Sequence, residues 1–370
     1  MSEMNQKTER AHTFSCPSCG GRMVFDPEKQ KLRCPYCESE KDIEFDRRKP
    51  NEYDIYSAPP ADADWGIRTH TVRCQGCGAE MILTEDTSAD VCAFCGAPHV
   101  MENQEKSGIA PESILPFSIP QTYAAEGFRK WIKKKWFAPS KAKKMAQLGQ
   151  IMGVYLPHWT YDSNSQSDYV GQAGHYYYVK VPVRVNVNGK IRTEMREERR
   201  IEWRPASGRV YEDFDDILIA GSKRLPENLL ERVRPFNLGK LVRYDPAFIS
   251  GFISEKPAVT VKEGWGKAKE VIDERMKDLA KQQILSHADE ARITRIITQN
   301  ENIRYKLTLL PMYLSSFTFK DKQFHVLVNG QTGRVGGQAP VSPLRVCIFI
   351  VLLIALMYLL YMLFVGKYFI

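Results

Sequence analysis

Apolar and polar positions follow several different rhythms along these 370 residues, and each rhythm predicts a different element. Phe128, Trp131, Ile132 and Trp136 recur at i, i+3, i+4 and i+8, which places them on one face of a helix. The opposite face holds Arg129, Lys130, Lys133 and Lys134, and the basic run continues through Lys135, Lys141, Lys143 and Lys144 against a single acid, Glu126. Strand patterns come next. Residues 181–187, Asn188-Gly189 and 190–195 read as a hairpin, because Asn-Gly supplies the two positive φ angles of a type I′ turn. A second hairpin runs from Leu307 through Phe319, turns at Asp321-Lys322 and returns along 324–328. Asn329-Gly330-Gln331-Thr332-Gly333 then turns the chain into Arg334-Val335. Residues 264–288 intersperse acids and bases in helical composition and read as an ordinary solvated helix.

The last rhythm is unbroken. Residues 346–365 (VCIFIVLLIALMYLLYMLFV) carry no charge, no Gly and no Pro over twenty positions, close to what a helix needs to cross ~30 Å of hydrocarbon. A core helix is rarely apolar on every face for this length, so the stretch reads as a single membrane span. Arg345 and Lys367 flank it and give little charge bias for orientation.

Cysteine adds a repeat to this picture. Eight of nine cysteines form four C-x-x-C pairs, Cys16/Cys19, Cys34/Cys37, Cys74/Cys77 and Cys92/Cys95, and adding 58 to the first four positions gives the second four. The register extends to Phe14, Gly20, Met23, Val24, Phe25 and Tyr36, which map onto Val72, Gly78, Met81, Ile82, Leu83 and Phe94. Two residues between cysteines let a tight knuckle aim two thiolates at one ion, and a second knuckle across a short hairpin completes a tetrahedron. Each copy therefore reads as one zinc ribbon with a closed, structural site, giving two Zn²⁺ per chain. Iron would accept the same thiolates, whereas a redox C-x-x-C would need a βαβ context that the flanking residues do not supply. His99 reads as a loop residue, since four thiols already fill the site, and Cys347 as an apolar filler inside the span.

Charge and composition then set the compartment. Hydrophobic residues make up 43% and charged residues 26%, enough for buried cores, and the net charge of +8 falls to about +4 once each ion with four thiolates contributes −2. Residues 1–10 are polar and carry no apolar signal core. Thiols kept for metal need a reducing compartment, which places 1–345 in the cytoplasm and a five-residue tail on the far side of the cell membrane.

The organisation that results is ribbon 1 over 12–45, a linker over 46–66, ribbon 2 over 68–101 and a linker over 102–110. An α+β domain with antiparallel sheets occupies 111–336, then a juxtamembrane linker 337–345 and the transmembrane helix 346–365. A weaker repeat inside the domain sets Leu115-Pro116-Phe117, a helix and Tyr155-Leu156-Pro157-His158-Trp159 beside Val259-Thr260-Val261, a helix and Leu309-Leu310-Pro311-Met312-Tyr313, suggesting two related lobes. No catalytic constellation stands out. His158 and His175 lie in aromatic strand-like stretches, Asp213–Asp216 reads as a solvated turn, and the glycines of 333–337 lack the G-x-G-x-x-G pattern of a phosphate loop.

The paired ribbons, the FRKWIKKKWFAPSK, GVYLPHWTYD and YKLTLLPMYLSSFTFKDKQFHVLVNGQTGRVGG stretches and the single span together resemble a family of bacterial membrane-anchored TFIIB-type zinc-ribbon proteins. That family is often labelled as primosomal protein N′-like helicases. The helicase label does not suit these residues, because the Gly-Lys pairs at 189, 239, 266 and 366 are followed by Ile191, Leu241, Ala268 and Tyr368 in place of the Ser or Thr of a P-loop. The resemblance, with relatives encoded beside PspA-like and flotillin-type proteins, implies a non-enzymatic adaptor in envelope stress or membrane maintenance with membrane-associated protein partners and no small-molecule substrate. The basic positions Arg129, Lys130, Lys133, Lys134 and Lys135 are expected to meet an anionic surface. Nucleic acid is the alternative partner, since ribbons also bind DNA or RNA, but most of the basic run lies away from the cysteines.

Overall fold

A computed structural model of the chain describes residues 14–368 except 47, 58–64, 85–90, 99, 104–107, 149, 188–189 and 321. His99 and the Asn188-Gly189 turn therefore lie outside the described residues. In chain order the elements begin with β1 (Val24–Asp26), β2 (Lys31–Arg33), β3 (Glu40–Lys41), β4 (Tyr53–Asp54), β5 (Thr69–Cys74), β6 (Glu80–Thr84), β7 (Val100–Asn103) and β8 (Ser113–Ile114). Helices α1 (Gln121–Lys134) and α2 (Ser140–Leu148) come next, then β9 (Met152–Val187), β10 (Lys190–Ala220), α3 (Glu227–Glu231), β11 (Val242–Arg243) and β12 (Ile253–Glu255). The chain closes with α4 (Val261–Leu285), β13 (Glu290–Phe319), β14 (Lys322–Asn329), β15 (Val335–Gly337) and α5 (Pro343–Tyr368).

Two very long antiparallel strands, β9 and β13, form the spine, paired from Glu290↔Gly174 to Leu314↔Met152. The hairpin over 181–195 is the far end of a much longer ladder, since β10 follows β9 from Lys190↔Val187 back to Ala220↔His158. The other hairpin closes at Phe319↔Lys322. Beyond Gly174 the spine loses β13, and the β9–β10 ladder continues alone as a two-stranded arm.

The two Leu-Pro segments face each other across the spine, with Leu156 opposite Leu310 and Tyr155 opposite Pro311. Each helix sits between a short strand and a long one, and the short strands are exchanged: β8 runs parallel to β13, and β12 runs parallel to β9. The halves are thus interleaved through one sheet of twelve strands among the described residues.

The stretch 264–288, read as a solvated helix, is helical to Leu285 and amphipathic. Ala268, Ile272, Met276, Ala280 and Ile284 recur every four residues, are fully buried, and lie against the long strands. A capping box starts the helix: Glu263 N–H donates to Thr260 Oγ1 at 3.2 Å and Thr260 N–H donates to Glu263 Oε2 at 2.8 Å. Gly264 is needed here because a Cβ would come 2.3 Å from the Tyr161 hydroxyl, which itself donates to Val261 O.

Asp213–Asp216, expected in a solvated turn, instead forms a bulge in β10 between Phe214 and Ile217. Asn329, in the turn after the second hairpin, is buried. It accepts from the N–H groups of Gln331 and Thr332 and donates to Val233 O, so that stretch is a structural turn.

Candidate metal centres

Each cluster is built from two knuckles that repeat one backbone geometry. In the first cluster Cys16 N–H donates to Gly21 O and Gly20 N–H to Cys16 O, while Cys34 N–H donates to Ser39 O and Glu38 N–H to Cys34 O. The second cluster repeats both bonds at Cys74 and at Cys92. The fourth residue after each leading cysteine has positive φ, and three of the four are glycine: Gly20, Gly78 and Gly96. Glu38 takes that conformation at φ 62°.

The eight predicted ligands converge in two groups, Cys16, Cys19, Cys34 and Cys37 in one and Cys74, Cys77, Cys92 and Cys95 in the other, with all sulfurs of a group within 4.8 Å. Sγ–Sγ separations are 3.4 Å for Cys16/Cys37, 3.5 Å for Cys19/Cys34, 3.5 Å for Cys74/Cys95 and 3.7 Å for Cys77/Cys92. A tetrahedron with metal–sulfur bonds of about 2.3 Å has edges of about 3.8 Å, so both groups have the size of a four-thiolate site. Within each site the thiols divide: the first cysteine is held toward thiolate, whereas Cys19 in one site and Cys77 and Cys92 in the other are raised. Burial opposes ionisation of Cys16, yet the N–H groups of Ser18 and Cys19 outweigh it and hold the thiol at about 6. Cys74 is held at about 7 in the same way, burial against the N–H of Cys77. Burial raises Cys77 to about 11 and pushes Cys92 up, so filling the second site must release protons.

The duplicated ribbons differ in how they join the body. Strands β1–β3 form a separate sheet, and this ribbon docks through Phe25 N–H to Ser250 O, Ser250 Oγ to Met23 O and Gln30 Nε2 to Phe117 O, with the Phe25 ring 5.3 Å from that of Phe248. In the second ribbon β6 pairs with β12, which makes its strands part of the large sheet. Arg224 donates to Cys77 O and Gly78 O, both at 2.6 Å, and Gln323 Nε2 to Phe94 O. The paired positions Tyr36 and Phe94 record the difference: Tyr36 is 78% exposed and Phe94 2%. The segment 46–66, expected as a linker, carries β4, which pairs with β13 through Tyr53↔Tyr305.

A third group, Asp162, Asp215 and Asp216, also brings three carboxylates within 4.8 Å. The chain supplies its own cation there: buried Lys306 forms an ion pair with Asp216 at 2.7 Å and donates to Glu52 at 2.9 Å. Burial works against the Lys306 charge, and the two carboxylates outweigh it, raising its pKa. Burial, reinforced by Glu52 and Asp216, pushes Asp162 up to about 6. Sequence reasoning missed this network because its members are remote in the chain and meet at bulges in β10 and β13. His158 is buried, bonded to Leu156 O, and held near 4 by burial, as a packed histidine would be.

Arg129, Lys130, Lys133, Lys134 and Lys135 are exposed on or just after α1, whose other face buries Ala124, Phe128 and Ile132. Trp136 is a correction. The helix ends at Lys134, so Trp136 leaves the apolar face and stands 70% exposed at the corner leading to α2. Helix α5 is long and apolar enough over Pro343–Met362 to cross a membrane, and none of that stretch is buried in the body.

The chain is 28% identical over 340 residues to the uncharacterized protein YdjG of Bacillus subtilis (strain 168), an alignment covering 90% of this chain and 92% of that protein. No protein-family model matches the chain. No solved structure matches it either.

Proposed function

We propose that this protein is a single-pass, membrane-anchored adaptor that holds two structural zinc ions and presents protein-binding surfaces at the cytoplasmic face. One observation carries the reading: the second four-cysteine cluster is built into the sheet of a body that ends in an unburied apolar helix. Metal there holds the shape of a platform, and four thiolates leave no open position for a substrate or water. The anchor keeps that platform at the bilayer.

The two-stranded arm beyond Gly174 supplies the partner surface. It exposes Tyr177, Tyr178, Ile191 and Met195, and one edge of β9 is free of β13 there, so it offers apolar anchors together with unpaired backbone groups. A PspA-like or flotillin-type membrane-associated protein, in envelope stress or membrane maintenance, is the partner this reading expects. The test is co-purification of full-length protein from detergent-solubilised membranes, beside a variant in which 176–200 are replaced by a short Gly-containing turn. The adaptor reading predicts a PspA-like or flotillin-type protein with the wild type, lost with the variant while metal content is unchanged. Salt-sensitive recovery of nucleic acid in place of protein would overturn it.

A further inference from the structure

Where α5 leaves the body, the corner between α1 and α2 is tied to its first turn. Ser342 N–H donates to Phe137 O at 2.8 Å, and Arg345 donates to Trp136 O at 2.9 Å, Ala138 O at 2.7 Å and Ser140 Oγ at 2.6 Å. The Phe137 ring meets that of Phe349 at 5.4 Å, one turn further along α5. A helix C-terminus ordinarily presents free carbonyls and a negative partial charge. Here a cation takes one of them, Lys143 Nζ donating to Lys133 O at 2.9 Å, while Arg345 takes carbonyls of the corner beyond the helix.

Beside this junction lies an open cavity of ≈ 520 Å³ lined by Lys134, Lys135, Trp136, Arg232, Gln338 and Val341 among others, with no carboxylate in its wall. Lys135 Nζ lies 4.5 Å over the Trp131 ring, and Arg232 Nη1 is spent on Gly337 O at 3.0 Å, which holds both cations at the rim with donors to spare. The apolar side of the same place is uncovered: Trp136, Val341 and Leu344 are 70%, 64% and 69% exposed next to the start of the span. Three cations and an indole lining one cavity, with aliphatic side chains exposed next to the start of the span, match a molecule with a charged head and an acyl tail.

We infer that this cavity is a binding site for the phosphodiester headgroup of an anionic phospholipid, with Lys134, Lys135 and Arg232 on the phosphate and Trp136 against the upper acyl chain. The inference rests on α5 crossing the bilayer. It narrows the basic surface to Lys134 and Lys135: Arg129, Lys130 and Lys133 lie outside the cavity wall. A lipid selected at this point would fix the rotation of the body about its anchor, and with it the direction in which the arm projects.

The test uses full-length protein in nanodiscs, followed by extraction into mild detergent and native mass spectrometry of retained lipid. The discs hold equal phosphatidylglycerol and phosphatidylcholine, and a parallel sample in lipid-free detergent receives inorganic phosphate. The wild type is expected to retain one phosphatidylglycerol with at least fivefold preference over phosphatidylcholine. Lys134→Gln/Lys135→Gln is expected to bring that preference below twofold, and Lys130→Gln/Lys133→Gln, with the same change in charge, to leave it intact. Equal retention of both lipids, or equal loss in both double variants, overturns the site. Phosphate adducts matching the lipid signal would make it a free-anion site and overturn the lipid assignment. Failure of the wild type to enter nanodiscs would instead remove the membrane reading on which the site depends.

Discussion

Disrupting the two metal sites should loosen different parts of the body, although the clusters are duplicates. The perturbation is Cys92→Ser against Cys34→Ser. Loss of a ligand removes most of a metal contribution of about 10–16 kcal/mol, so each ribbon unfolds locally. The consequences for the body differ. The first ribbon contributes Met23, Phe25 and Leu32 to a core that also contains Phe117, Phe248 and Tyr313, at about 1.5–3 kcal/mol for each side chain, and it bonds the body at Met23, Phe25 and Gln30. The second contributes Val72, Met81, Leu83 and Phe94 to a core that also contains Val154, Leu156, Met312 and Leu327. At about 1.5–3 kcal/mol for each of those four side chains, its loss takes away about 6–12 kcal/mol, comparable with the entire stability of a domain at about 5–15 kcal/mol.

The assay is hydrogen exchange with mass spectrometry on full-length protein in detergent. In Cys34→Ser, fast exchange should extend from β1–β3 into residues 246–252, which pack on the first ribbon through Phe248 and Ser250. In Cys92→Ser it should extend from β5–β7 into β12 and the adjoining end of β9. Fast exchange limited to residues 69–103 in Cys92→Ser, with β12 as protected as in the wild type, would refute the claim that the second ribbon is a working part of the body.

Lys306→Met strands Glu52, Asp162 and Asp216 without their buried cation and should cost about 3–5 kcal/mol by denaturant melts at pH 7, recovering as pH falls and the carboxylates are neutralised. Buried Glu255 is raised to about 8, mainly by burial, from an ordinary 4.5. A raised folded value means that its contribution is full below pH 4.5 and lost as pH rises through 8, so Glu255→Gln should flatten the stability profile across that window in pH-scanned thermal melts. Glu38→Gly relieves a left-handed conformation that costs a non-glycine residue about 1–2 kcal/mol, against about 0.4–1 kcal/mol of added freedom in the unfolded chain, and the net stabilisation of up to about 1 kcal/mol should be read as slower loss of metal from the first site to a chelator.

Much of the chemistry was legible in the residues because metal ligands obey local spacing: the four C-x-x-C pairs and their offset of 58 name both clusters. The second hairpin was equally local, although Lys322, read into its turn, already pairs with Phe319 in the returning strand. Strand length was not legible. β9 continues through Ser163, Asn164, Ser165, Gln166 and Ser167, a polar run that a half-buried strand would not show. Three of those residues are buried all the same, because Ser165 bonds Asn300 and Ser167 bonds Thr298 across the ladder. The merging of the second ribbon with the body was hidden for a similar reason. Phe94 and Tyr36 are interchangeable in pattern, and only the tertiary partner decides which is buried. Trp136 continues the helical spacing by sequence, but the helix ends two residues earlier.

The central claim is that one membrane-embedded chain carries two closed zinc sites. The direct measurement is the zinc-to-protein ratio, by elemental analysis, of full-length protein recovered from the alkaline-carbonate-resistant membrane fraction and purified without added metal. The account predicts two zinc ions per chain, one for each four-cysteine group, in that fraction. A ratio of one or less, a different metal, or protein released into the carbonate supernatant would contradict it.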